Sequence, residues 1–242
     1  MSDKLSMMVT SEDIDRYLDA GSSKILKYSD LDEYRTVEEL LPKDVDYRIV
    51  LIEQNANSGH WCCILRYGKT IEWFDSYGIK PDGELSFISK MKNKILGQDV
   101  KHLTLMLNDA IARGWNCIWN KKKLQKLKVG VNTCGRWCLL RITMLTQFYF
   151  DLDEFYDSDV MRLIAEKKKD KFYDEFLNPF WTRIKGQTKI SNVHMQSFFD
   201  LFQDTNGAAN AEILIAQNKL NKLAKQIKKE GGTLDVSTYV LN

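Results

Sequence analysis

The chain has 242 residues, of which 44% are hydrophobic, 11% aromatic and 28% charged, and its formal net charge is +2. These proportions are typical of a soluble globular protein with one sizeable core, or with a core and a small appendage. The sequence excludes a membrane-spanning helix, because no apolar run reaches the length of about 20 residues that a bilayer requires, and the N-terminus lacks a signal-peptide pattern.

The five cysteines do not predict a disulfide framework. Their number is odd, and two of them, Cys62 and Cys63, are adjacent on a predicted strand. We therefore expect a reducing compartment. His60 could supply a zinc ligand beside these thiols, but three residues separate Cys134 from Cys138 and no second pair of ligands follows. The sequence accordingly predicts no metal and no cofactor.

Charge is distributed unevenly along the chain. The first 60 residues hold 13 acidic and 7 basic residues, whereas the remainder holds 20 acidic and 28 basic residues. The basic excess includes lysine runs at positions 121–123 and 167–169. Such runs are typical of solvated helix faces, and the alternative is a surface that binds a polyanion such as nucleic acid.

The first part of the sequence predicts a helix followed by a strand. The hydroxyl of Thr10 and the acids in the next turn indicate a helix start, and Gly21 indicates its end. Residues 29–46 are polar and are predicted to be irregular. Residues 47–52, with the sequence YRIVLI, are β-branched and apolar and predict a core strand.

Two short apolar runs within residues 58–78 flank a glycine turn and predict a β-hairpin. If Tyr67 and Gly68 form a two-residue loop, His60 lies directly opposite Asp75 on the same face of the sheet. Their Cβ atoms would then be about 5 Å apart. The backbone register thus predicts a contact between an imidazole and a carboxylate.

The stretch between the hairpin and the central cysteine predicts one helix and one strand. Residues 82–98 are amphipathic and predict a helix that ends near Gly97. Residues 100–107 alternate, with three leucines on one face and His102 on the other, and predict a strand. Residues 116–128 lead toward the central cysteine without a predicted element.

The last part of the chain predicts helices only. Apolar residues repeat at helical spacing over residues 138–149 and predict a buried helix, and amphipathic helices are predicted over residues 159–185 and 208–230. The predicted fold class is therefore α+β, with a mixed central β-sheet flanked by helices. We expect a core over residues 1–150 and a helical C-terminal part over residues 151–242, packed on the core as part of the same domain.

Cys134 is predicted to stand at the start of the buried helix. Unpaired N–H groups and the helix dipole favour a thiolate at such a position. Gly135 leaves room for the backbone to turn and for a substrate to approach. The alternative is a buried, inert cysteine.

Four polar residues along the chain form a set that suits nucleophilic catalysis by a thiol. They are His60, Asp75, Gln125 and Cys134. A thiolate acts as a nucleophile when a neighbouring imidazole takes its proton and later gives it to the leaving amine. A carboxylate on the far ring nitrogen fixes the tautomer of the imidazole. A side-chain amide, together with the N–H group of the cysteine, stabilises the developing oxyanion.

The motifs around these residues resemble the signature of the adenain/Ulp-type cysteine proteases. They read Gly59-His60-Trp61, Phe74-Asp75-Ser76-Tyr77, Asn120-x4-Gln125 and Thr133-Cys134-Gly135. The resemblance covers roughly residues 10–150 and implies the adenain-like fold, with the nucleophile at the N-terminus of a buried central helix. It further implies that Cys134 is the nucleophile, that His60 is the base and that Asp75 is the acid that orients the base.

The same resemblance assigns Gln125 as the donor to the oxyanion, and it places Trp61 and Gly135 at the substrate cleft. Cys134 follows Gln125 by nine positions, which is more than the family pattern leads us to expect. Either the loop between them bulges, or another amide, such as that of Asn132, donates to the oxyanion.

The function that the resemblance implies is that of a cysteine endopeptidase, or thiol protease, that cleaves after glycine or alanine. Its closest likeness is to the maturation proteases of DNA viruses, virophages and Polinton-like elements, which implies the processing of capsid precursor proteins. The expected location is the virion or the cytoplasm of the infected host cell. The expected partners are viral structural precursors, with non-specific DNA or a peptide as an activator. We expect a monomer and no membrane partner.

Three alternatives stay open. The superfamily also includes proteases for ubiquitin-like, SUMO-type modifiers, which have a broad docking face. Acyl transferases with a related His–acid–Cys set use acetyl-CoA, and this sequence shows no motif that would cradle its phosphates. The third alternative is a binding module without activity that kept the fold, although the four polar residues of the set are all present.

Overall fold

The computed structural model describes residues 5–18, 24–158 and 161–162. Within these ranges the chain forms a mixed sheet of five strands flanked by helices, so the predicted α+β class is confirmed. The strands are β1 (Ile25–Lys27), β2 (Tyr47–Asn55), β3 (Ser58–Tyr67), β4 (Thr70–Phe74) and β5 (Asn116–Trp119). The helices are α1 (Ser11–Leu18), α2 (Val37–Leu40), α3 (Lys90–Ile95), α4 (His102–Ala112), α5 (Cys134–Phe148) and α6 (Leu152–Tyr156), with 3-10 helices at Tyr28–Glu33 and Gly83–Phe87.

The strands lie side by side in chain order. Strand β1 is parallel to β2, the strands β2, β3 and β4 form an antiparallel meander, and β5 is parallel to β4. The tight turn between β3 and β4 contains Gly68 at a φ of +54°, in the left-handed region that a residue without a Cβ enters at little cost. The meander thus keeps the two strands of the predicted hairpin adjacent.

Helices cover both faces of the sheet. On one face, apolar side chains of β2, β3 and β4 pack with buried residues of α4, and this cluster includes Val50, Ile52, Cys62, Ile64, Ile71, Trp73, Leu103, Met106, Leu107 and Ala110. On the other face lies α5, where Cys138 Sγ donates to the carbonyl oxygen of Trp61 at 3.4 Å. Successive residues of a strand point to opposite faces, so β3 and β4 contribute side chains to both clusters.

A buried ion pair fixes α5 to β4. Arg141 donates from Nε and Nη2 to the two carboxylate oxygens of Glu72 at 2.8 and 2.7 Å, and both side chains are fully buried. Burial lowers the pKa of Arg141, but the charge of Glu72 more than offsets this effect and raises it. Arg141 therefore stays charged, and its two hydrogen bonds to Glu72 hold the predicted nucleophile helix against the hairpin.

The predicted hairpin is present, but its register differs from the prediction by two residues. Tyr67 pairs with Thr70, so the loop is Gly68-Lys69. Extending this register beyond the last pair sets His60 opposite Tyr77 rather than Asp75. Because side chains alternate with a period of two, a shift of two residues leaves His60 and Asp75 on the same face. The predicted contact therefore survives the error in the loop.

The helix predicted over residues 82–98 is wrong in extent. The stretch instead forms a 3-10 helix at Gly83–Phe87 and the short helix α3. Ser89 is the N-cap of α3, and its hydroxyl oxygen accepts a hydrogen bond from Lys92 N at 3.3 Å. The predicted stop is present, since Gly97 has a φ of +66°. The interruption matters because it turns Glu84 inward.

The strand predicted over residues 100–107 is also wrong, because these residues begin α4. Four buried residues of α4 recur at the spacing of one helix face, and they are Leu103, Met106, Leu107 and Ala110. Leu105, which the strand pattern placed with its neighbours, is 61% exposed. Three leucines at alternate positions are compatible with a strand and with a helix. The residues form a helix because its longer apolar face packs against the sheet.

Other parts of the pattern prediction were incomplete. Residues 29–46, predicted as irregular, contain most of a 3-10 helix and α2, and strand β5 was not predicted. The lysine run at positions 121–123 lies in the loop after β5 and not on a helix face. Lys122 Nζ lies 3.8 Å from the centre of the Tyr156 ring, so part of this run is held by cation–π contacts.

The remaining predictions fall partly outside the described residues. The predicted start of α1 is present, because Thr10 and Asp13 exchange hydrogen bonds at the head of the helix. Gly21, the helices predicted over residues 159–185 and 208–230, and the second lysine run all lie outside the described ranges. Helix α6, in the predicted C-terminal part, packs the ring of Phe155 edge-on against Phe74. No helix in the described ranges combines the length and apolar composition needed to cross a membrane.

Candidate active site

The structure brings His60 and Asp75 together in a buried contact. His60 Nε2 lies 3.0 Å from Asp75 Oδ1. Asp75 follows directly after β4, and the same oxygen accepts a hydrogen bond from Tyr77 N at 2.8 Å. The ring of Tyr77 stacks on the imidazole with a centroid distance of 4.4 Å. The imidazole is therefore held at its edge by a carboxylate and on its face by an aromatic ring.

A second set of contacts holds the chain that carries Asp75. Asn120, which is buried in the loop after β5, donates from Nδ2 to the carbonyl oxygen of Asp75 at 2.6 Å. Its Oδ1 accepts hydrogen bonds from Lys122 N and from the Tyr156 hydroxyl. Asn120 therefore fixes the turn after β4 and, through it, the direction in which the Asp75 carboxylate points.

Glu84 is a second carboxyl group at the same imidazole nitrogen, and no sequence pattern predicted it. Its Oε1 lies 3.3 Å from His60 Nε2, and its side chain is only 6% exposed. Burial is the largest cause that raises the pKa of Glu84 to about 8; the charge of Asp75 adds to the rise and His60 opposes it. Glu84 therefore keeps its proton at neutral pH.

The proton of Glu84 has a clear acceptor. Asp75 Oδ2 and Glu84 Oε1 are both buried without a donor from another group. Two adjacent carboxyl groups cannot both ionise cheaply, so one proton is shared between them. We infer that Glu84 donates to Asp75, which leaves the charge of Asp75 available to His60.

The electrostatic environment of His60 favours the imidazolium form. Burial lowers the pKa of His60, but the negative charges that Glu84, Cys62, Cys134 and Asp75 can carry together raise it well above the usual value. A thiol beside such an imidazole can transfer its proton to the ring. The pair of groups that the sequence predicted as nucleophile and base is therefore electrostatically coupled.

Cys134 is the first residue of α5. Its thiol influences the pKa values of both His60 and Tyr77. Cys134 is 8% exposed, so the thiol is close to the surface but covered. By contrast, burial raises the pKa of the Cys138 thiol well above its usual value, as expected for a core residue.

Cys62 also behaves as a buried thiol, although it lies near His60. Burial raises its pKa well above the usual value, and the charge of Asp75 adds to that effect. Its side chain belongs to the cluster under α4. Cys62 is thus a protonated thiol in the core, whereas Cys134 lies at the start of α5. All five cysteines are free, in agreement with the prediction that there is no disulfide framework.

Gln125 is buried next to the base, but its amide is already engaged. Its Oε1 accepts from Ser76 Oγ at 2.8 Å. Its Nε2 donates to the hydroxyl of Tyr77 at 3.2 Å and to the carbonyl oxygen of Val131 at 3.0 Å. Gln125 therefore fixes the aromatic ring that stacks on His60, and it would have to release a partner to reach an oxyanion.

The loop between Gln125 and Cys134 bulges, which was the first of the two alternatives predicted for its length. Lys128 N donates to Lys126 O at 3.0 Å, Val131 N donates to Lys128 O at 3.1 Å, and Gly130 has a φ of +83°. These turns absorb the extra residues. The amide of Asn132, the other candidate donor, gives a hydrogen bond from Nδ2 to Ser6 O at 2.7 Å.

Trp61 and Gly135 lie together, as expected for two residues at one cleft. A Cβ built on Gly135 would lie 3.2 Å from Trp61 Cδ1 and 2.8 Å from Val9 Cβ. No side chain fits at position 135, because the indole and Val9 fill that space. The room that the sequence predicted for a substrate is occupied by the chain's own N-terminal segment.

A large groove lies elsewhere on the protein. Its volume is about 1210 Å³, and it runs between α4, β5 and the segment from Ile79 to Lys101. None of the four predicted catalytic residues lines it. The candidate site is instead a buried cluster, since each of these four residues is at most 8% exposed.

Four buried side chains, of which His60 is one, also form a potential metal site. One ligand atom from each of His60, Cys62, Asp75 and Glu84 lies within 4.8 Å of the others. Imidazole, thiolate and carboxylate are the ligands that zinc prefers. This set differs from the one considered in the sequence, which combined His60 with thiols only, because it contains one thiol, that of Cys62, and two carboxyl groups.

No protein-family model matches this chain. The chain is 32% identical over 138 residues to "Uncharacterized protein V9" of Sputnik virophage. The match covers 57% of this chain and 77% of the virophage protein. The chain is thus related to a virophage protein over most of that protein's length, and it belongs to the family of Sputnik virophage protein V9.

Proposed function

We propose that this protein is a cysteine endopeptidase with Cys134 as the nucleophile and His60 as the base. The observation that carries the proposal is the buried contact of 3.0 Å between His60 Nε2 and Asp75 Oδ1, coupled to the thiol at the start of α5. This chemistry requires a thiol nucleophile, a base that takes its proton and an acid that orients the base. The motif resemblance to adenain/Ulp-type proteases supports the same assignment.

In the proposed mechanism, Nε2 of His60 faces the carboxyl groups and Nδ1 takes the proton of the Cys134 thiol. The sulfur then forms a bond to the scissile carbonyl carbon, and the imidazolium gives its proton to the leaving amine as the C–N bond breaks. Water, deprotonated by the same imidazole, attacks the thioester and releases the acid product and the free thiol. Asp75 keeps the ring oriented throughout, and Glu84 holds the shared proton.

The proposed substrates are viral structural precursor proteins, cleaved after glycine or alanine. The relative in Sputnik virophage supports a viral context, and the resemblance to maturation proteases supports the cleavage preference. We place the activity in the virion or in the cytoplasm of an infected cell. A DNA or peptide activator, a monomeric state and the packing of residues 151–242 on the core belong to the same proposal.

The proposal is tested by incubating the purified full chain with peptides that contain Gly-Gly or Ala-Gly, with ubiquitin-like precursors, and with acetyl-CoA and an acceptor protein. Cleavage of short peptides, lost in Cys134→Ala and kept in Cys138→Ala, supports the endopeptidase. Cys138 is the matched control because it lies one turn further along α5 and is fully buried. Activity only on folded ubiquitin-like precursors, or only with acetyl-CoA, would replace the proposal with one of its alternatives.

A second candidate function is favoured by the ligand cluster around His60. One zinc ion, at about 2.0–2.3 Å from each ligand, could bind His60, Cys62, Asp75 and Glu84 after small side-chain shifts. Such a centre would occupy the base and prevent its role in catalysis. Cys62→Ala separates the two candidates, because it removes a metal ligand and leaves the catalytic set intact. Stoichiometric zinc that is lost in Cys62→Ala, without peptide cleavage by either protein, would favour the metal centre.

A further inference from the structure

The N-terminal segment crosses the first turn of α5, where Cys134 lies. We call residues 5–10 the N-terminal cover. Asn132 donates from its backbone N–H to Leu5 O at 2.8 Å and from Nδ2 to Ser6 O at 2.7 Å. Because Asn132 lies two residues before Cys134, the cover begins beside the candidate nucleophile.

Two further donors hold the other end of the N-terminal cover. Arg136 donates from Nη2 to Met7 O at 2.8 Å, and Trp61 donates from Nε1 to Val9 O at 2.9 Å. Val9 is 3% exposed, and its Cβ would be 2.8 Å from a Cβ at Gly135. The cover is therefore closed over the residue that follows Cys134, and this accounts for the burial of a thiol at the end of a helix.

The four hydrogen bonds described above all end on the main chain of the N-terminal cover. Backbone carbonyl groups accept all four hydrogen bonds, whereas the side chains of Met7 and Met8 are 48% and 56% exposed. Val9 alone inserts its side chain, in the space that the absence of a Cβ at Gly135 creates. A cleft that binds extended peptides works in the same way, with backbone hydrogen bonds for affinity and a buried side chain for specificity.

We propose that the N-terminal cover occupies the peptide-binding subsite of this protein in cis, and that a substrate peptide must displace it. The proposal rests on the proposed function, since it identifies the subsite of that same active site. The ligand class is an unstructured peptide segment whose carbonyl groups accept from Asn132, Arg136 and Trp61. It presents a small apolar side chain, as Val9 does, above Gly135.

The N-terminal cover can open without unfolding the helix that follows it. Asp13 accepts hydrogen bonds from Thr10 N and Thr10 Oγ1 at 3.0 and 2.9 Å, which closes the head of α1. Ile14 and Tyr17 are buried and hold α1 on the core. A hinge at Thr10 therefore confines the movement to residues 5–9.

The test uses the full chain and measures how fast iodoacetamide modifies Cys134, by peptide mass mapping. Val9→Arg places a long charged side chain where no space exists, so the N-terminal cover should detach and the rate should rise by about tenfold or more. Met8→Arg is the matched control, because Met8 is the adjacent residue and is exposed. Its rate should equal that of the unaltered chain. Equal rates in both variants, at unchanged Tm, would overturn the proposal.

A peptide added in trans supplies a readout that does not depend on turnover. The acetylated and amidated hexapeptide of residues 5–10 (LSMMVT) should slow the modification of Cys134 in Val9→Arg, and a scrambled peptide with Val replaced by Arg should not. If the hexapeptide protects Cys134 but no variant cleaves any substrate, the subsite stands and the proposed endopeptidase fails. If neither peptide protects Cys134, the subsite fails even when cleavage is observed.

A second variant keeps the test decisive if Val9→Arg does not fold. Val9→Gly removes the buried side chain without adding bulk, and it should raise the modification rate of Cys134 several-fold while leaving Cys62 and Cys138 unmodified. Unchanged modification of Cys134 in a folded Val9→Gly protein would show that Val9 does not close the site, and would overturn the proposal.

Discussion

The two halves of the candidate site are built in different ways. The half with the base comes from one hairpin, and His60 is fixed there by Asp75 at 3.0 Å and by the Tyr77 ring at 4.4 Å. The half with Cys134 depends on distant segments, since Ser6 O and Asn132 Nδ2 meet across 126 residues. The base is therefore preformed by local structure, whereas access to the nucleophile depends on a segment that must move.

This difference predicts two kinds of variant behaviour. Substitutions in the base half should change the chemistry and leave the accessibility of the thiol unaltered. Substitutions in the segment over α5 should change the accessibility first.

The largest effect should come from Asp75→Asn in the base half. The amide no longer holds the imidazole in the required tautomer, so kcat should fall by roughly 10²- to 10⁴-fold. Asp82→Asn is the control, because Asp82 is a buried acid that accepts from Tyr28 and Thr104 away from His60. A peptide cleavage assay and a thermal melt of both variants check this. An Asp75→Asn protein with full activity would break the assignment of the base half.

The next effect concerns the ion pair that joins the halves. Glu72→Gln leaves Arg141 buried without a counter-charge, so the free energy of unfolding should fall by about 3–5 kcal/mol. Denaturant unfolding measures this loss. Arg113→Ala, at a surface pair of Arg113 with Glu38 and Asp109, should lose far less, because exposed ion pairs contribute little to stability. Equal losses in the two variants would contradict the view that the buried pair fixes α5 to β4.

The two amides near Cys134 should differ in a smaller way. Gln125→Ala should lower kcat by about 10²-fold if this amide donates to the oxyanion, and it also loosens the Tyr77 ring that stacks on His60. Asn132→Ala should instead raise the modification rate of Cys134, because it releases Ser6. Steady-state kinetics and thiol labelling on the same preparations check both. A loss of kcat in Asn132→Ala, with none in Gln125→Ala, would transfer the oxyanion role to Asn132.

The smallest effect should be a change in the pH dependence of stability. Glu84 has a pKa raised from 4.5 to about 8, so the folded protein holds a proton that the unfolded chain has lost. Its contribution is present below pH 4.5 and is lost as the pH rises through about 8. The raised pKa of His60 acts in the same direction.

Glu84→Gln isolates the contribution of Glu84. The glutamine amide can donate to Asp75 as the protonated acid does, but it does not titrate. Melts between pH 5 and pH 9 should therefore show a shallower fall in Tm for Glu84→Gln than for the unaltered chain. Identical slopes for the two proteins would contradict the shared proton.

The sequence was sufficient for features that arise from short-range pattern. The contact between His60 and Asp75 depends on the alternation of side chains between the two faces of the hairpin. A register that differs by two residues keeps both side chains on the same face, so the prediction of this contact was correct although the predicted loop was not. The buried helix after Cys134 follows from a long apolar repeat. Both predictions depended on residues close together in the chain.

The sequence was insufficient where distant packing decides the structure. The leucines at positions 103, 105 and 107 fit a strand and a helix equally, and only burial against the sheet selects α4. Glu84 lies in a stretch that resembles an exposed helix, so nothing local predicted its approach to His60. The contact of Val9 with Gly135 likewise joins segments that are far apart in the chain, and no periodicity predicts it.

The central claim is that Cys134 is a nucleophile activated by His60. The most direct measurement treats the full chain and its Val9→Gly variant with a peptide vinyl sulfone that ends in Gly-Gly, and maps the adduct by mass spectrometry. We predict one adduct, on Cys134, that forms faster in Val9→Gly and is absent in His60→Gln. Labelling of Cys117, the partly exposed thiol, at the same rate as Cys134, or an adduct that persists in His60→Gln, would contradict the claim.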